Sequence, residues 1–158
     1  MSGSWWTMGE VFEPATGDGV VGPGTGGGTN AEVVRAEEVR TAYAGLLQIR
    51  RISGSAPAAW ERGQPVRAVA LTLEAAGIPP SALTPGGERA ATGYRVSSGP
   101  RPGTAHIEWL GPPGSGAPTE AGARLRACVA ALDAAGGWDA LLYRGERGRR
   151  FVEVEPLG

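Results

Sequence analysis

Apolar residues recur at steps of three and four in three stretches of this chain, and alternate with polar ones in four others. From Thr29, the positions Ala36, Val39, Tyr43, Leu46 and either Ile49 or Arg50 mark one face of a helix running to about Arg51. Thr29 and Glu32 have the spacing of a capping box, and Arg50 and Arg51 fall in the last turn, where the helix dipole favours cations. Ser53-Gly54 ends the helix. A short helical turn is expected around Trp60, within residues 56–63. A second long helix starts at Pro65, a residue tolerated at a first helical position, and is marked by Val66, Val69, Ala70, Leu73 and Ala76 before Gly77 stops it. Period two also fits Val69, Leu71 and Leu73, so a strand is the alternative there. Residues 78–91, rich in Pro and Gly, read as a loop with one turn of helix at Ser81–Leu83.

Alternation takes over at residue 92. Tyr94 and Val96 oppose Arg95 and Ser97; then Ala105, Ile107 and Trp109 oppose His106 and Glu108, with a Gly/Pro turn between the two runs. That is the signature of an antiparallel hairpin. Thr119 is expected to cap a helix whose stripe is Ala121, Leu125, Cys128, Val129, Leu132 and Ala135, closed by Gly136-Gly137. Residues 138–144 and 149–155 form a second hairpin around the turn 145–148. Its inward set is either Trp138, Ala140 and Leu142 or Leu141 and Tyr143, facing Val152 and Val154. The endings Leu73–Gly77 and Leu132–Gly136 are alike, so the chain from Pro65 reads as α-β-β twice over.

These elements predict an α+β fold: a four-stranded antiparallel sheet of two hairpins with helices packed on one face, preceded by a helical segment and a disordered N-terminal tail. The domain spans residues 30–158, with a helical part at 30–77 and an α/β-hairpin part at 78–156. Residues 1–29 form the tail. Its Gly/Thr-rich portion, 16–29, has only Val20 and Val21 to bury, and such a composition is ordered only by lying on another surface.

Composition changes the picture in two ways. The 27 Gly and 13 Pro imply long connections. All 15 basic residues are Arg, which with the abundance of Ala, Gly and Pro points to a GC-rich coding sequence, so arginine enrichment by itself does not signal phosphate recognition. A net charge of −1 provides no global attraction to nucleic acid or to an anionic membrane. With one cysteine, no internal disulfide or multi-thiolate zinc site exists. No long apolar run or leader-like segment is seen, and a soluble cytoplasmic protein is expected.

Candidate chemistry is sparse. His106 is the only imidazole and alternates with Ile107, which puts it on the solvent face, and Cys128 sits on an apolar helix stripe. Glu153 and Glu155 share a face, where pairing with Arg144 is expected. The glycines at 22–28 lack the Gly-Lys-Ser/Thr ending of a phosphate loop. No catalytic residue, metal ligand or cofactor is therefore named, and an enzyme is the third reading. The preferred expectation is a binding or accessory protein acting through protein contacts, with Trp5, Trp6 and Phe12 as a docking tip. The alternative is a nucleic-acid-binding regulator using the helical half or Arg144, Arg147, Arg149 and Arg150 on the last hairpin, with Trp109, Trp138 or Tyr143 stacking on bases.

Overall fold

A computed structural model of the chain describes residues 12–21 and 29–158. Trp5 and Trp6 lie outside the described residues. The elements in chain order are α1 (Thr29–Ser53), α2 (Ala59–Gly63), α3 (Pro65–Ala75), β1 (Ala82–Leu83), β2 (Arg89–Ala91), β3 (Gly93–Ser98), β4 (Ala105–Leu110), α4 (Ala117–Ala135), β5 (Trp138–Arg144) and β6 (Arg150–Pro156). The fold is α+β, as the periodicities predict.

The main sheet has the order β3-β4-β6-β5 and every neighbouring pair is antiparallel. Each hairpin supplies one half. The halves join where Ala105 pairs with Val154 and Ile107 with Val152. One face of this sheet is covered by α3 and α4. There Tyr94, Val96, Ile107, Trp109, Trp138, Val152 and Val154 meet Val69, Leu73, Leu125, Cys128 and Leu132 in one continuous core. Burial of apolar area on this scale is the main force holding the two layers together.

The rest of the helical half is a second layer. Val39 and Leu46 of α1 pack on Leu71 of α3, with Phe12, Tyr43 and Trp60 at the margin. Helix α3 is thus sandwiched between α1 and the sheet, and Ala68 through Leu73 are all buried. A helix buried on every side has no polar stripe, which is why strand-like alternation fitted it equally well. Its end is a Schellman closure: Ile78 N–H donates to Leu73 O and Gly77 N–H to Glu74 O, with Gly77 at φ +83°. The look-alike ending at Leu132–Gly136 closes by a single bond from Gly136 N–H to Leu132 O and runs directly into β5.

Three local expectations are corrected. Helix α4 begins at Ala117, with Gly116 (φ +80°) as the cap residue and Thr119 inside the first turn. Pro118 explains the earlier start, since its fixed φ suits a first turn and it has no N–H to satisfy. Ser81–Leu83 is not helical. Ala82 and Leu83 pair instead with Ala91 and Arg89 in a small second ladder. Finally, the described part of the Gly/Thr-rich segment lies along the domain. Leu83 N–H donates to Gly19 O, Val21 N–H to Leu83 O, and Val96 N–H to Thr16 O. Residues 12–21 therefore form a strap, and the surface that orders them belongs to this same chain.

Candidate functional site

Strand alternation sends Arg95, Ser97, His106, Glu108, Asp139, Leu141, Tyr143, Phe151, Glu153 and Glu155 to the face of the sheet that no helix covers. Aromatic rings form a row across it. His106 on β4 stacks on Phe151 of β6 at 4.9 Å between ring centroids, and Phe151 stacks on Tyr143 of β5 at 5.6 Å. Leu141 follows Tyr143 on the same face; these two side chains are 49% and 42% exposed. Cross-strand pairing places Tyr143 directly opposite Phe151, the geometry in which aromatic pairs stabilise a sheet by a few tenths to ~1 kcal/mol.

The inward set of β5 is Trp138, Ala140 and Leu142, which resolves the two alternatives. Trp109 and Trp138 are 6% and 2% exposed in the core, so neither can stack on a base, and of the three proposed stacking residues only Tyr143 lies on the open face. Phe151 and Leu141, absent from the candidates named above, are the residues that build the surface. Their signal was the alternation itself, once the parity of β5 is known.

The charges around the row are of both signs and largely paired. Glu108 accepts from Arg95 at 3.2 Å and from Arg149 at 3.1 Å. Arg101, in the β3–β4 turn, pairs with Glu155. Arg144 does not pair with Glu153 or Glu155, because alternation sends it to the other face. At the strap end, Asp18 is held by Arg89 at 2.7 Å and Arg95 at 2.8 Å. Burial pushes the Asp18 carboxyl up, but hydrogen bonds from Arg95 and Arg89, and their charges, outweigh it and hold its pKa below the usual carboxylate range. The Asp18 hydrogen bond likewise raises the Arg95 pKa.

The four arginines of the last hairpin are divided. Arg144 and Arg150 are cross-strand partners on the helix side, and a Cβ on Gly122 of α4 would collide with the Arg150 guanidinium. Arg149 reaches the open face and is neutralised by Glu108. Arg147 stands exposed at the turn in a left-handed conformation, φ +59°. Among the described residues Arg144, Arg147 and Arg150 have no carboxylate partner. A groove of about 840 Å³ runs beside this turn, with Glu108, Trp109 and Pro118 on one wall and residues 145–150 on the other.

Phe12 begins the described strap. Its ring lies under the Arg35 guanidinium, 4.7 Å from centroid to Cζ, and its carbonyl accepts from Arg67 at 2.9 Å. It is thus a half-buried anchor of the strap on the domain.

His106 and Cys128 lie on opposite sides of the sheet, so they cannot form a thiolate–imidazole pair. Burial pushes the Cys128 thiol up to about 12. Among the described residues no group of three or more His, Cys, Asp or Glu side chains could hold a metal ion, and no helix is long and apolar enough to cross a membrane. Comparison with protein-family models, with curated proteins and with solved structures finds no match to this chain.

Proposed function

We propose that this protein is a non-enzymatic binding protein that captures another protein on the open face of its sheet, in the cytoplasm. The observation that carries the reading is the stacked row His106–Phe151–Tyr143 continued by the exposed Leu141. Aromatic and aliphatic side chains held rigidly by a sheet lose little entropy on binding and provide the anchors that dominate protein interfaces. The charges favour a protein over a polyanion. Glu108, Asp139, Glu153 and Glu155 surround the row, against Arg95, Arg101 and Arg149. A cytoplasmic setting suits a chain whose single cysteine is a buried free thiol. Trp5 and Trp6 belong to the same reading as a second docking element.

A photo-crosslinking residue at Tyr143 tests this. It is expected to label one discrete host protein, while the same residue at exposed Gln48 on α1 does not. Equal labelling from both positions rules the surface out. A nucleic-acid-binding role is the second reading, favoured by Arg147, which is exposed at the hairpin turn, and by Arg144 and Arg150 on the helix side of the same hairpin, none with a carboxylate partner among the described residues. Under it, a single-stranded RNA probe is retained at low salt and released by the triple substitution Arg147→Ala, Arg149→Ala, Arg150→Ala. No retention at low salt removes it.

A further inference from the structure

The two edges of the sheet are treated differently. At the β3 edge, Tyr94 N–H donates to Pro79 O, Ser81 N–H to Tyr94 O, and Val96 N–H to Thr16 O, so two segments of the chain cover it. At the β5 edge, no backbone hydrogen bond reaches the outer side among the described residues.

The groups on that outer side can be named. Gly145 N–H donates to Arg149 O and Leu157 N–H to Gly137 O, one at each end of the β5–β6 ladder. Antiparallel pairs alternate, so the odd-numbered residues between them turn their N–H and C=O groups toward β6. Trp138, Ala140, Leu142 and Arg144 then turn theirs outward. The strand has no Pro and no bulge, its register to β6 is unbroken from Trp138 to Arg144, and its two charged residues, Asp139 and Arg144, are of opposite sign.

We infer that β5 pairs antiparallel with β5 of a second copy of this chain, joining two four-stranded sheets into one of eight strands. The register is dictated by the strand itself. A two-fold axis at Leu141 is the arrangement that pairs all seven residues, with Ala140 opposite Leu142 and Trp138 opposite Arg144 of the second copy. Those outward-facing groups form roughly eight new backbone hydrogen bonds. On the open face, Leu141 meets Leu141 in a non-hydrogen-bonded pair, where side chains approach most closely, and Asp139 lies opposite Tyr143. No like charges face each other. Moving the axis to Asp139 would set two carboxylates against each other and shorten the ladder. The pairing shields the flank of the exposed Leu141 while its top stays on the open face, and it joins the two rows through the central Leu141 pair. It does not rest on capture of a host protein, since the face above the row stays open in the dimer.

Cysteine crosslinking tests the register, and the native Cys128 is buried and does not compete. Under mild oxidation, Leu141→Cys is expected to give a disulfide-linked dimer. Asp139→Cys and Tyr143→Cys should each stay uncrosslinked alone and crosslink when mixed. In sedimentation, the unmodified chain should approach twice the monomer mass as concentration rises, and Leu141→Lys should stay monomeric with an unchanged circular dichroism spectrum. A monomer mass at every concentration overturns the inference, as do equal crosslinking yields at 139, 141 and 143 alone. A Tyr143 photo-adduct of twice the chain mass marks the second copy, and any other mass marks a host partner, so the dimer and the capture reading fail separately.

Discussion

Arg50 and Glu61 face each other in a two-pronged ion pair, Nε to Oε2 and Nη2 to Oε1 both at 2.8 Å, with the side chains 8% and 0% exposed. The remaining Arg50 nitrogen donates to Ala135 O at 2.9 Å and Gly136 O at 3.1 Å, while Glu61 accepts from Ala58 N–H at 2.8 Å. One arginine therefore ties the last turn of α1 to α2 and to the open carbonyls at the end of α4, which are among the acceptors a helix leaves unsatisfied.

Removing either partner alone strands a buried charge. Glu61→Ala or Arg50→Ala is expected to cost ~3–5 kcal/mol in urea unfolding. The double substitution should cost clearly less than the sum of the two. Additive costs would show that the two groups act independently.

The strap depends on Asp18. Its pKa is depressed in the folded protein, so its contribution is present above the unfolded value and is lost as pH falls through the folded one. Acidification below about pH 4 should therefore loosen residues 12–21 while the core holds. Hydrogen exchange at Val21 and Val96, whose amides are bonded across the strap contact, reads this directly. Asp18→Asn should give fast exchange at neutral pH and abolish the acid dependence.

The same contact locates a safe truncation point. Deleting residues 1–11 should leave the melting temperature unchanged, because the contacts of residues 12–21 with the domain are all retained. Deleting 1–21 should lower it, since the Tyr94 hydroxyl loses its 2.7 Å bond to Ala15 O and Arg89 and Arg95 lose Asp18.

Two glycines should respond in opposite directions. A Cβ on Gly93 would strike the backbone of Pro79, Pro80 and Ser81, which cannot retreat without uncovering the β3 edge, so Gly93→Ala should cost ~1–3 kcal/mol. A Cβ on Gly122 meets only the flexible end of Arg150. Gly122→Ala should be neutral or stabilise by up to ~1 kcal/mol through helix propensity. Thermal melts of the two variants check both.

Cys128 should be inert. With the thiol buried and its pKa pushed up to about 12, the native protein should not react with a disulfide reagent at pH 8, and should react fully once unfolded. Rapid reaction of the native protein would contradict the packing of α4 on the sheet.

Most secondary structure was legible because its causes are local. Tyr94 and Val96 alternate with Arg95 and Ser97 whatever lies around them, and Gly77 stops α3 because a left-handed residue is needed there. Boundaries failed where a competing local signal was stronger, as at Pro118 against Thr119. The candidate surface was only half legible. Tyr143 and Phe151 could be named as strand residues, but β5 has apolar side chains at both parities, so the sequence leaves open which set faces the core.

What the sequence by itself determined is therefore most of the elements and the antiparallel hairpins, consequences of near-neighbour spacing and composition. What only the tertiary structure decided is the order β3-β4-β6-β5, the division of Arg144 and Arg150 from Arg149, the docking of the strap, and the exposed edge of β5. Each depends on pairings between residues tens of positions apart. Such pairings are selected by how whole faces pack, and no local pattern in the chain encodes them.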